Sequence, residues 1–308
     1  MTDSRAWSTR FWPRLAAGHV LAIALVAAIA LVAAVAGCSA PAPAKPPAPD
    51  YFLALGDSLS RGVQPNAAGT NVETAQGYPD LVYARLIRSG AALRLVQLGC
   101  PGETTQTMTK GGICRYSGGS QLAAADAFLR AHRGHVRLVT LDIGANDLEV
   151  CGSQLELALV ASCVGQVPGT AARVSAILAS LRAAAGPDVR IVGTNYYLPE
   201  LAQWRTGMLG RGVALASERI AATLNGQLDQ AYRQAGDAVA DVFGAFSTAD
   251  FGDPVAVSGI GSLPRNVARI CQWTWECAAA PRGPNQHANP AGYQVIADAI
   301  LKAAGQGS

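Results

Sequence analysis

The chain has 308 residues, of which 50% are hydrophobic and 15% charged, with a formal net charge of +3. These values exclude a disordered polar chain, a collagen-like repeat and a strongly basic nucleic-acid binder. The length admits one large domain or two small ones.

Val20 to Gly37 is an uncharged apolar run, preceded by Arg5, Arg10 and Arg14 against the single acid Asp3. A basic region followed by an apolar one is the pattern of a secretory signal. The run is also just long enough to span a bilayer, so a retained anchor is the alternative. Val35-Ala36-Gly37-Cys38 resembles the lipobox of bacterial lipoproteins. That resemblance implies a signal over residues 1–37, with Cys38 diacylated as the new N-terminus. On either reading the rest is expected outside the cytoplasm, lipid-anchored to the bacterial membrane or secreted. Without residues 1–37 the chain is nearly neutral, and no nucleic-acid partner is implied. Residues 38–50 are rich in proline and alanine, which suits an extended tether and cannot build a core. One domain is expected over 51–308.

Six further cysteines fall into close pairs, and an even number in an exported chain suggests disulfides. The expected bridges are Cys100–Cys114, Cys151–Cys163 and Cys271–Cys277. Zinc is the rival reading, but no pair has CxxC spacing and no histidine pair accompanies them, so no metal site is expected.

Apolar runs bounded by turn residues predict strands at Tyr51–Leu55, Leu93–Leu98, Val136–Ile143, Val189–Thr194 and Val239–Val242. Helical spacing predicts helices over Ala75–Arg88, Gln121–Ala131, Ala171–Ala185, Val213–Ala235 and Ala291–Ala304. Strands alternating with helices predict a parallel sheet covered on both faces, with functional residues on loops beyond the carboxyl ends of the strands.

The first strand runs into Gly56-Asp57-Ser58-Leu59. A serine at a tight strand-to-helix turn suits a nucleophile, and it equally suits a helix N-cap. A serine nucleophile needs a base. His19 lies in the apolar leader, and His132 and His135 lie at the amino end of the third strand. His287, just before the last helix, is the remaining one. Gly102 after the second strand and Asn146 after the third offer a closely approaching backbone N–H and a side-chain amide for an oxyanion. Trp273 and Trp275, inside the last cysteine pair, are read mainly as loop packing, and Asp57 as pinning its turn.

Ser58, Gly102, Asn146 and His287, in the order GDSL, GxND and HxNxxGY, resemble the SGNH branch of the GDSL hydrolases. The resemblance covers nearly all of the chain from Tyr51 onward. It implies a three-layer α/β/α flavodoxin-like fold and ester hydrolysis through a serine acyl-enzyme, with no cofactor. It also implies Ser58 as nucleophile, His287 as base, and Ser58, Gly102 and Asn146 as the oxyanion hole. The substrate would be a lipid or small-molecule ester. The family usually carries an aspartate three residues before the histidine. Here that position is Pro284, so a Ser–His dyad is expected, with the Pro284 carbonyl orienting the ring. Acyl transfer to another alcohol and an inactive envelope-binding protein remain as alternatives. Acyl-chain length and oligomeric state are not legible.

Overall fold

The structure, a computed structural model, describes residues 49–148 and 157–306. The expected signal, lipidation residue Cys38, nearly all of the tether and the Cys151–Cys163 bridge lie outside the described residues. Ala48–Ser308 makes one compact unit.

Its centre is a five-stranded sheet of β1 (Asp50–Gly56), β4 (Leu93–Gln97), β5 (Val136–Asp142), β6 (Arg190–Thr194) and β7 (Ala238–Ala240). The spatial order is β4-β1-β5-β6-β7, and every neighbouring pair is parallel. Phe52–Leu55 of β1 are wholly buried, as an interior strand with helices on both faces must be. Two small antiparallel pairs stand apart, β2 (Gln64–Pro65) with β3 (Asn71–Val72) and β8 (Val255–Val257) with β9 (Gly261–Leu263).

The helices are α1 (Tyr78–Arg88), α2 (Thr105–Lys110), α3 (Gln121–Ala131), α4 (Leu157–Ala185), α5 (Met208–Gln234), α6 (Val242–Ala245), α7 (Arg265–Trp273) and α8 (Pro290–Ala303). α1 packs with α8, while α3, α4 and α5 pack in series. Strand order reverses at β1, so right-handed crossovers place the two groups on opposite faces. Ligands of such sheets bind beyond the carboxyl ends of the strands at that reversal.

The five expected strands and five expected helices are all present, with shifted ends. α1 starts at Tyr78, where Pro79 fits the first turn. α4 begins well before Ala171 and runs through Pro168, a residue that argues for a break when read locally. Short α2, α6, α7 and the two hairpins were not anticipated, because none has a long periodic pattern.

Gln121, at the start of α3, is wholly buried and clamps the end of β1. Its Oε1 accepts from Gly56 N at 2.7 Å, and its Nε2 donates to Gly56 O at 2.9 Å and to Glu103 at 3.0 Å. Gln121→Leu leaves the Gly56 N–H without that acceptor. A buried unsatisfied donor costs about 1–3 kcal/mol. The variant is therefore expected to lose about that much unfolding free energy in urea denaturation, and an unchanged midpoint would refute the clamp.

Candidate active site

β1 ends in a turn that buried groups hold from below. Asp57 N donates to the Asp142 carbonyl and to Asp142 Oδ2, both at 3.1 Å. Ser60 N reaches the same Oδ2 at 3.3 Å, and Tyr78 donates its hydroxyl to Asp142 Oδ1. Asp57 Oδ1 accepts from Leu59 N at 3.0 Å, and Tyr196 donates to Asp57 Oδ2 at 3.2 Å. Asp57 thus pins its turn through its side chain. Burial pushes its carboxyl up to about 6, against the opposing pull of these hydrogen bonds. Burial, with the neighbouring Asp57 charge, also raises Asp142.

Ser58 occupies the N-cap position of a single 3₁₀ turn, Leu59–Arg61, yet its side chain makes no capping bond. The capping alternative therefore does not account for its hydroxyl. Ser58 lines a cavity of about 390 Å³. Asn146, in the turn after β5, and His287, in the loop before α8, line the same cavity. Three loops far apart in sequence thus bring three expected residues together. Asn146 Nδ2 donates to the Glu103 carbonyl at 2.9 Å, which fixes its amide and leaves its second N–H uncommitted to that bond. Gly102 sits in the loop after β4 with φ of +80°, a backbone state that favours glycine. It is not among the residues that line the cavity.

His287 is 7% exposed. Its main chain is stitched to the loop of the Cys271–Cys277 disulfide: Trp275 N donates to His287 O at 3.0 Å, and Thr274 bridges Ala288. Its Nδ1 lies 2.9 Å from Asn285 Oδ1, which also accepts from His287 N at 3.1 Å. The ring's partner is therefore the Asn285 side chain rather than the Pro284 carbonyl expected from the sequence. The physical reason is an Asx turn, in which an asparagine oxygen folds back on the backbone two residues later. Asn285 Nδ2 donates in turn to Asn71 Oδ1 on β3 at 2.7 Å. Burial pulls the imidazole down to about 4.

The other walls are Leu148, Tyr196, Tyr197 and Leu198 on one side and Ile220, Ala221 and Leu224 of α5 on another, with Glu200 and Glu276 among them. Burial, and then the charge of Glu200, raises Glu276 to about 7. Asp253, another acid upstream of His287 in the sequence, pairs with Arg265 at 2.7 Å and does not line the cavity. Trp273 packs edge-on against Phe246, and Trp275 donates to Gln64 Oε1 at 3.3 Å. Neither lines the cavity. His132 stacks on Phe128, and His135 lies 3.5 Å from Asp50, both away from it. The Cys100–Cys114 bridge ties the Gly102 loop. Among the described residues no cluster of His, Cys, Asp or Glu could hold a metal.

Residues 54–295 match the GDSL-like Lipase/Acylhydrolase family. Comparison with curated proteins gave no match. Among solved structures, the extracellular lipase of Streptomyces rimosus is similar with a TM-score of 0.55 and 18% identity, covering 83% of this chain and 99% of that one. A putative GDSL-like lipase of Parabacteroides merdae gives 0.52 and 15%, covering 83% and 96%. The lipase Lip_vut3 from a goat rumen metagenome gives 0.50 and 15%, covering 84% and 98%. At such identities the likeness of structure establishes the shared fold. The match over residues 54–295 goes further, and the chain belongs to the GDSL-like lipase and acylhydrolase family of hydrolytic enzymes.

Proposed function

We propose that this protein is a carboxylic-ester hydrolase working through a serine acyl-enzyme. The observation that carries the proposal is the convergence of Ser58, Asn146 and His287 on one cavity from three separate loops. Ser58 Oγ attacks the ester carbonyl carbon, and its proton passes to His287 Nε2. The carbonyl π bond opens onto oxygen, and the N–H groups of Ser58 and Gly102 with the Asn146 amide stabilise that oxyanion. Each such donor is worth about 2.7–4 kcal/mol of barrier. The intermediate collapses, the alcohol leaves with the proton held on Nε2, and water then repeats the sequence on the acyl-enzyme.

The base works without a carboxylate. With Nδ1–H donating to Asn285 Oδ1, Nε2 is the unprotonated nitrogen that faces the task. An asparagine could equally turn its NH₂ toward the ring and enforce the wrong tautomer. The His287 backbone N–H, which can only donate, also meets Oδ1, and this supports the oxygen facing the ring while Nδ2 turns to Asn71. We assign Asn285 and Asn71 as positioning residues.

The apolar walls of the cavity support a substrate with an acyl chain, and the sequence supports export. We read residues 1–37 as a lipoprotein signal, Cys38 as the lipidated residue, 38–50 as a tether and 51–308 as the hydrolase domain. That arrangement holds the enzyme outside the cytoplasm on a membrane.

Two measurements test the mechanism. A fluorophosphonate probe is expected to label the wild-type chain but not Ser58→Ala, and Ser58→Ala is expected to lose at least about 10³-fold in kcat on p-nitrophenyl esters. Retained labelling in the variant would rule out Ser58 as nucleophile. The second concerns pH. The base must be neutral, so kcat/KM falls as pH drops through the folded-state histidine value, near 4. Asn285→Asp places an anion against Nδ1, favours the imidazolium, and moves this acidic limb to higher pH. A limb that stays in place would separate Asn285 from the base.

A further inference from the structure

Among the described residues, the two most exposed large apolar side chains are neighbours in sequence. Met208 and Leu209, the first two residues of α5, are each 87% exposed, and Leu215, one face-repeat on from Met208, is 40% exposed. Other exposed large apolar residues, such as Val72 and Ile87, are about half as exposed or less and lie on other elements. Scattered single residues need no explanation, whereas adjacent ones marked by such full exposure do.

The tip is built. A 3₁₀ helix over Pro199–Thr206 packs along α5, and the two are joined at Gly207. A Cβ on Gly210 would meet Gln203 O at 1.9 Å, so the return of the chain is as tight as glycine permits. Below the tip, Trp204 lies against Phe251, with ring centres 5.3 Å apart. Arg211 covers Trp204 at 5.3 Å. Arg205 and Arg211 are both exposed and flank the apolar pair, and residues 201–217 contain no acid.

An apolar tip between two exposed guanidinium groups has the chemistry of an interfacial anchor. The apolar side chains enter the acyl boundary and the cations meet anionic headgroups. The same two elements that make the tip also form a wall of the cavity through Pro199, Gln203, Ile220 and Leu224. We propose that the Arg205–Arg211 tip is a docking surface for an anionic phospholipid membrane. The inference stands whether or not the cavity hydrolyses esters.

The test uses the full chain reconstituted into vesicles. Leu209→Trp adds an emitter at the tip, and its emission above the wild-type background is read in phosphatidylcholine–phosphatidylglycerol vesicles with and without bromine on the acyl chains. Brominated lipid is expected to quench most of the added emission. Arg205→Glu/Arg211→Glu in the same background is expected to restore it, as is omission of phosphatidylglycerol. Quenching no greater than that of the wild type overturns the docking surface, and equal quenching without phosphatidylglycerol overturns its anionic preference. A second copy is the competing occupant. Self-association in sedimentation that Met208→Ser/Leu209→Ser abolishes, with no excess quenching on vesicles, would assign the tip to that instead.

Discussion

Asp142 ends β5 with no solvent contact, and its carboxyl has to be satisfied by hydrogen bonds alone. It meets that demand by taking Asp57 N, Ser60 N and the Tyr78 hydroxyl. Those donors come from both sides of Ser58 and from α1. One buried group thereby couples the sheet, the first helix and the turn that carries the serine. A buried carboxyl without such partners would cost several kcal/mol, so the turn cannot relax without exposing the penalty. Gln121 does the same from the opposite side by holding both polar groups of Gly56. The serine is rigid because its neighbours are committed, while its own hydroxyl is spared from capping.

The electrostatics of the cavity follow from burial. Burial raises the carboxyls of Asp57 and Glu276 and lowers the imidazole of His287, so each charged form is penalised. Burial therefore favours the neutral imidazole, the form that can accept a proton. On the proposed mechanism the cost falls on the step in which the imidazolium forms, since a neutral amide oxygen stabilises it less than a carboxylate does. In compensation, the Asn71–Asn285–His287 chain fixes the ring without burying a further charge.

Ser58 and Asn146 were legible because strand ends in a parallel sheet converge, and His287 because the other histidines lie in the leader or at the amino end of a strand. Gly102, expected at the same pocket from its place after the second strand, does not line the cavity. The orienting group was not legible. A search for a charge in the position of the usual aspartate passes over Asn285, and the local signal was an Asx residue two places before the histidine, read by backbone geometry rather than by charge. Asn71 could not be found at all, since it lies 214 positions from Asn285 and meets it only through the fold. Asp142 and Gln121 were hidden likewise, one as the last residue of an apolar strand and the other as an ordinary helix start. Pro168 misled in the other direction, because packing of a long helix against two neighbours outweighs one missing N–H.

The elements that carry the residues of the proposed chemistry and those that shape access to them are different. Ser58 and Asn146 stand at the ends of strands that run through the core, and their positions are set by buried hydrogen bonds. The wall from Pro199 to Leu224 is a 3₁₀ helix and the first half of α5, with apolar residues on both its inner and its outer side. A soluble domain gains nothing from two adjacent solvated apolar side chains, because their burial elsewhere would contribute about 1.5–3 kcal/mol each. Here Met208 and Leu209 open the same helix that carries the cavity residues Ile220, Ala221 and Leu224. On the proposed docking and ester-hydrolase readings, the outer and inner residues of this helix would meet the same kind of partner, an acyl chain.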